Sequence, residues 1–540
     1  MVRSMTVASR LHGQLLKAGP AVTRHVDVRR DVVVGAPDGT GLLTDVYLAR
    51  PVRPLPVILM RSPYGRGVLG TIARLFAERG YHAVVQSVRG TFGSGGRLDF
   101  DAEAADGRAA ADWIIRQPWS DGTIGTFGAS YLAFTQLALA STRPPQLKAM
   151  AIAVWGAERR AAYHQGGSFA LERPLAWAHI MENQERPLAF VRTPLRARKA
   201  LTPAFGRLPL LDADTAAVGH PVGFYRDWIT NDKPGDPYWT PTDFRPLLKD
   251  LDIPVNMTAG WYDMFLPQML ADYQELRDGG QDVRLRIGAW HHSSPGLARQ
   301  SLADALDWFG AHLLGRTPSA GPPGLRVQVT GGGWRNLAGW PPPDATTLRW
   351  HLHAGGTLGT GAPAESTPDR YTYDPADPTP AVGGTSSMNP GPRDNRALEQ
   401  RPDVLTYTSE PLAGPLVITG PVTAELFAGS SRPHTDFFAR LCDVDPGGKS
   451  VNIADGILRL ADATEAPQPV TIDLWPTAHQ FRPGHRIRLQ VSSGAHPRYA
   501  RNPGSGEPLA TASTLHTARQ AVYHDPAHPS AVLLPVVPRT

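Results

Sequence analysis

The chain has 540 residues, of which 41% are hydrophobic and 19% charged, and its formal net charge is only +5. A single core rarely grows beyond about 250–300 residues, so this is a folded chain of two or three packed units and not a disordered one. The basic residues are scattered rather than interleaved with aromatics, and no apolar run reaches about 18 residues, which excludes nucleic-acid binding and membrane spanning as readings.

The 54 Gly and 52 Pro imply many turns and short elements. From about residue 26 to 155, strand-like and helix-like segments alternate. Residues 42–48 and 57–60 read as strands, 71–79 as a helix closing at Gly80, and 81–88 as a strand. Residues 102–116 read as a helix, 124–127 as a short strand, 131–140 as a helix and 149–154 as an apolar strand. Strands alternating with helices predict crossover connections and a mostly parallel, buried sheet. From 156 to 245 the chain is rich in Arg, Pro and aromatics, with helical pieces at 175–183 and 191–200, and reads as a helical insertion. The first pattern resumes with strand 255–259, helix 266–277, strand 283–287 and helix 302–314. Beyond about 320, short β-type runs recur at 325–330, 347–353, 416–419, 423–428, 457–460, 470–474 and 486–492. Their density predicts an all-β sandwich or jelly roll, with 357–401 as a long surface loop.

Chemistry is concentrated in three places. Gly128-Ala129-Ser130-Tyr131 lies between a predicted strand and a predicted helix. A serine on such a sharp turn is held with its hydroxyl above the sheet edge, and the helix start behind it offers N–H groups to an oxyanion. The usual pattern has Gly two residues after the serine, where this chain has Leu132. The plain alternative is a serine capping an ordinary helix. Gly260-Trp261-Tyr262-Asp263 follows strand 255–259, and Gly288-Ala289-Trp290-His291-His292 follows strand 283–287. A serine hydroxyl is a poor nucleophile until a base takes its proton and an acid orients that base. Ser130, Asp263 and His292, in that chain order at three strand ends, meet this need as a catalytic triad. Singly, Asp263 can cap the helix that follows it and His292 can be an ordinary loop residue.

These segments carry a resemblance to the CocE/NonD hydrolases, the group of cocaine esterase, X-Pro dipeptidyl-peptidases and α-amino-acid ester hydrolases. Arg61-Ser62-Pro63-Tyr64-Gly65 resembles the family's R-x-P-Y segment, and Val88 to Gly96 its R-G-x-x-x-S-x-G segment. Gln117 to Gly122 followed by Gly125 to Leu132 resembles the nucleophile block. The acid and base blocks match, and the family histidine, two residues after Trp, selects His292 over His291. The resemblance implies an oxyanion hole made by the Tyr64 hydroxyl and the backbone N–H of Tyr131. It departs at Ala133, where Gly is common, and at Ser87, where an Asp commonly precedes the Arg-Gly pair, which loosens the role of Arg89. It also implies three parts. These are an α/β-hydrolase core (1–155 and 246–318), a helical cap (156–245) and a C-terminal jelly roll (319–540).

The expected activity is hydrolysis of a carboxylic ester or acyl amide through an acyl-enzyme on Ser130. An X-Pro dipeptidyl-peptidase-type aminopeptidase is the alternative, and a carbohydrate-binding-like protein that kept its triad is a third reading. Trp155, Trp177, Phe224 and Trp228 are candidates for the substrate pocket, or else pack the cap core. No cofactor is called for, and no Cys/His cluster has zinc spacing. The partner is a small ester, amide or short peptide, with no nucleic acid and no membrane, and a homodimer is compatible. The single cysteine, Cys442, precludes an intrachain disulfide and reads as a small buried hydrophobe. Arg3, Arg10 and Lys17 precede no apolar run, so no signal peptide is read and the expected location is the default, cytoplasmic one.

Overall fold

Strands covered on both faces by helices have no wet side, so they are written as nearly unbroken apolar runs. The computed structural model describes residues 2–4, 13–16, 18–186, 189–317 and 324–538. Arg10, Lys17 and the expected join at 318–319 lie outside the described residues. By contacts the chain forms two units. One comprises the chain through Arg159 with Trp239–Gly260 and Gln268–Leu325; the other comprises Arg160–Tyr238, Trp261–Pro267 and the chain from Arg326 onward.

The first unit is built on strands β1 (Val2–Ser4), β2 (His25–Gly35), β3 (Gly41–Ala49), β4 (Leu55–Ser62), β5 (His82–Ser87), β6 (Ser120–Ala129) and β7 (Leu147–Ala153). After a small hairpin of β8 (His164–Gln165) and β9 (Ser168–Phe169) come β10 (Val255–Tyr262) and β11 (Val283–His291). Their order in the sheet is β1-β2-β3-β5-β4-β6-β7-β10-β11. From β5 to β10 neighbours run parallel, and β2 and β3 form an antiparallel edge. At the start of β10, the Val255 N–H donates to the Asp282 carbonyl, and at its end Gly260 lies against the Trp290 carbonyl, so β11 runs the same way. Helices α1 (Arg66–Ala77), α2 (Glu103–Ile115) and α3 (Tyr131–Ser141) follow β4, β5 and β6.

Four helices of the stretch between β9 and β10 are α4 (Glu172–Asn183), α5 (Ala189–Phe205), α6 (Ala213–Val218) and α7 (Gly223–Thr230); α8 (Arg245–Leu248) precedes β10. Helices α9 (Leu266–Asp278) and α10 (Pro295–Leu314) flank β11. One face of the sheet is sealed by α1 and α10. Phe76 packs edge-on to Phe127 at 5.3 Å and lies 6.0 Å from Phe309, among Ile58, Met60 and Val85. Each such side chain contributes about 1.5–3 kcal/mol of burial. Helix α1 begins five residues before the expected 71–79 and ends on Glu78, with Gly80 two residues further on at φ 102°. Its first turn faces solvent, with Val68 72% exposed, and so lacks the apolar spacing that would announce it.

The second unit carries the expected all-β domain. Its strands run from β14 (Thr346–His353) to β24 (Ala531–Val536), after short strands β12 (Leu325–Gln328) and β13 (Trp334–Leu337). The long ones are β18 (Leu416–Ser430), β19 (Thr435–Val444), β20 (Ser450–Leu460) and β21 (Gln468–Phe481). Segments 416–419 and 423–428, read as two strands, are one strand whose register shifts between Gly420 and Val422. The Gly420-Pro421 pair marks a bulge and not a turn. The expected loop 357–401 contains β15 (Thr357–Gly359) and β16 (Asp369–Tyr373), whose Tyr371 and Tyr373 are buried. Cys442, on β19, is buried, and burial pushes its thiol up to about 12. The helical stretch is fastened to these strands within the same unit. The Glu172 carboxylate accepts from Ser386 Oγ and the Ser387 N–H, both at 2.9 Å, and the Leu211 N–H donates to the Ala510 carbonyl.

Candidate active site

Parallel β4 and β6 pair with Leu59 opposite Thr126. Continued at that offset, Pro63 falls opposite Ser130, so the Tyr64 loop leaves the sheet edge beside the serine. This is also where strand order reverses, with β5 on one side of β4 and β6 on the other. Open α/β sheets form their ligand crevice at such a point.

Ser130 has φ 57° and ψ −126° between β6 and α3. For a residue other than glycine this is strained by about 1–3 kcal/mol. Its backbone is engaged: the N–H donates to the Ala153 carbonyl, and its own carbonyl accepts from the N–H groups of Ala133 and Phe134. Its side chain makes no capping bond to α3 and stays partly exposed. Ser130 thus stands at the N-cap position of α3 without the side-chain bond by which a capping serine holds its helix. A β-carbon at Gly128 would lie 2.2 Å from that of Leu132, so the approach to the turn admits only glycine. On the β4 side, the Tyr64 N–H donates to Ser62 Oγ at 3.0 Å, and Tyr64 is partly exposed. Gly65 takes φ 87° with its α-carbon against the Phe92 ring, where a β-carbon would come within 2.8 Å.

At the end of β11, the His291 N–H donates to Ser294 Oγ (2.8 Å), the Ser294 N–H returns to the His291 carbonyl (2.9 Å), and His291 Nδ1 accepts from the Ser293 N–H (3.3 Å). His291 thus builds the turn, and His292 stands partly exposed within it. Trp290 is seated on bare backbone. β-Carbons at Gly260, Gly288 and Gly296 would meet it at 2.3, 2.5 and 2.7 Å. Asp263 follows β10 and is fully buried. Its Oδ1 accepts from the Phe265 N–H at 2.8 Å, and its carbonyl accepts from Trp475 Nε1 at 3.0 Å. One carboxylate oxygen therefore does serve the turn into α9, as the plain reading of that aspartate expected.

Beneath the serine turn lies a charged cluster that sequence reasoning missed. The Tyr131 hydroxyl donates to Glu103 Oε1 at 2.8 Å, and Glu103 Oε2 pairs with Arg61 at 2.5 Å. Arg61 also donates to Gln86 Oε1 and to the Glu103 carbonyl. Asp106 lies 3.8 Å from Arg61 and is gripped by Arg89 at 2.6 Å. Arg89 so finds its role without an Asp at position 87. Burial pushes the Glu103 carboxyl up, and the Arg61 guanidinium opposes this.

A model of the X-Pro dipeptidyl-peptidase (S15 family) matches residues 38–294, and one of the X-Pro dipeptidyl-peptidase C-terminal non-catalytic domain matches 320–533. The cocaine esterase of Rhodococcus sp. (strain MB1 Bresler) is 32% identical over 585 aligned residues, covering 96% of this chain and 100% of that protein. The chain belongs to the CocE/NonD family of serine hydrolases. Two solved structures share the fold of this CocE/NonD enzyme. An α-amino-acid ester hydrolase has a TM-score of 0.79 at 23% identity, covering 95% of this chain and 96% of its own. A CocE/NonD family hydrolase from Staphylococcus aureus has a TM-score of 0.68 at 18% identity, covering 96% and 95%.

Of the four aromatics expected near the pocket of this CocE/NonD enzyme, Trp177, Phe224 and Trp228 belong to the second unit and Trp155 to the first. Trp228 is fully buried and stacks on Tyr163 at 4.0 Å and Trp177 at 5.6 Å, with Phe224 at 4.9 Å. Trp155 packs edge-on against Phe134 at 5.6 Å. Among the described residues no helix is long and apolar enough to cross a membrane.

Proposed function

We propose that Ser130 is the nucleophile of this hydrolase, His292 its base and Asp263 the group that orients the base. Ser130 Oγ attacks an ester or amide carbonyl while His292 takes its proton. The Tyr64 hydroxyl and the Tyr131 N–H donate to the resulting oxyanion. Collapse expels the alcohol or amine, which leaves with the proton from His292. Water then repeats the sequence on the acyl-enzyme and frees the acid. The observation that carries this reading is Ser130 itself, strained at φ 57° with a hydroxyl that caps nothing. A fluorophosphonate probe should label the wild type and not Ser130→Ala; a folded wild type that stays unlabelled refutes it.

Esterase is the first assignment of substrate, supported by the full-length similarity to a cocaine esterase. X-Pro dipeptidyl-peptidase activity is the second, favoured by the match to the S15 model. Paired assays with p-nitrophenyl esters and X-Pro-anilides separate the two. In the same reading the substrate is a small ester, amide or short peptide met in the cytoplasm, by an enzyme free to act as a homodimer.

A further inference from the structure

We infer that Glu103 is a positioning residue for the oxyanion hole, setting the spacing of its two donors; the inference rests on the catalytic reading above. Each donor lies on its own segment. Tyr64 is three residues beyond Arg61, and the Tyr131 N–H is one residue beyond Ser130. The two segments are linked by the β4–β6 pairing, whose register shifts between Leu55 and Val57, and by a long bond from Thr135 Oγ1 to the Arg61 carbonyl at 3.5 Å. The Glu103 carboxylate links them directly. One oxygen takes the Tyr131 hydroxyl at 2.8 Å and the other takes Arg61 at 2.5 Å.

The rest of the cluster stiffens this link. Arg61 is fixed on its other edge by Gln86 Oε1 at 2.8 Å, and one of its terminal nitrogens also reaches the Glu103 carbonyl at 3.0 Å. Gly107, one turn further along α2, leaves room for it: a β-carbon there would lie 3.3 Å from the guanidinium. Phe100 and Phe134 hold the Tyr131 ring at 5.4 and 5.5 Å. Glu103 is 1% exposed, so it touches no substrate. A buried ion pair adds little net stability compared with apolar packing, whereas it fixes geometry tightly. An oxyanion hole needs that tightness, because a donor displaced by 1 Å can cost about 10²-fold in rate.

The test uses the full chain with a p-nitrophenyl ester. Glu103→Gln and Tyr131→Phe, which keeps the backbone N–H, should each lower kcat about 10- to 100-fold at nearly unchanged KM. The double variant should fall no further than the worse single one. Phosphonylation of Ser130, mapped by peptide mass, should slow by a similar factor. Wild-type labelling at Ser130 checks the catalytic reading separately; its absence removes that reading, not the geometry. If the wild type labels and a Glu103→Gln variant of native melting temperature keeps its kcat, the positioning role is overturned. If Glu103→Gln fails to fold, Tyr131→Phe decides alone: a kcat fall at constant KM supports the role, and an unchanged kcat or an effect on KM only overturns it.

Discussion

A strained residue persists only where its neighbours hold it, and the Ser130 backbone is held by the Ala153 carbonyl and the N–H groups of Ala133 and Phe134, while the turn before it is closed by Leu132. The β-carbon of Leu132 occupies the space that a β-carbon at Gly128 would need, 2.2 Å away. Gly128→Ala should therefore abolish fluorophosphonate labelling even in protein that folds. Leu132→Gly in the same chain should restore part of it, because the obstructing atom is then gone; a gel-based labelling rate reads both. Tyr64→Phe removes one donor to the oxyanion and should lower kcat by about 10²–10³-fold, with labelling slowed to match. A Tyr64→Phe enzyme of normal kcat would show that the hydroxyl is a bystander.

At the scale of elements, the turn after β11 depends on three glycines that are far apart in sequence or on different elements. Gly260→Ala would drive a methyl into the Trp290 carbonyl. It should displace the His291–Ser294 turn and lower kcat by at least tenfold while the melting temperature falls by only a few degrees. In the helical stretch, Trp228→Ala removes a fully buried indole stacked on two rings. It should cost about 3–5 kcal/mol in urea unfolding. The strand ends were legible in the sequence because short apolar runs stopping at Gly128, Gly260 and Gly288 mark buried strands at their exits. Glu103 was not legible. Its meaning lies in Tyr131 and Arg61, 28 and 42 positions away, and a lone acid in a first helical turn reads as a favourable end charge. Strand β18 was misread for the opposite reason. Gly420-Pro421 is a turn signal by composition, and only the pairing of both halves with β21 makes it a bulge.

For the molecule as a whole, stability should carry the mark of one buried acid outside the catalytic set. Asp272 on α9 is 6% exposed, and its Oδ2 accepts from the Ala157 N–H at 2.7 Å. Burial raises its pKa from 3.8 to about 7. Between those values the folded chain keeps a proton that the unfolded chain has released, so stability falls as pH rises through this window and levels off above about 7. The wild type should lose on the order of a few kcal/mol between pH 5 and pH 8 relative to Asp272→Asn, which has no proton to lose. Parallel pH slopes of melting temperature for the two proteins would contradict this.

The interior position of Cys442 has a practical reach. Burial and a thiol held near 12 keep it from the thiolate form that alkylating reagents attack. The native chain then behaves as if it had no thiol at all, so one cysteine placed by design on the helical stretch would be the sole handle for a fluorophore or spin label. Motion of that stretch during turnover becomes observable without first stripping the protein of its own sulfhydryl.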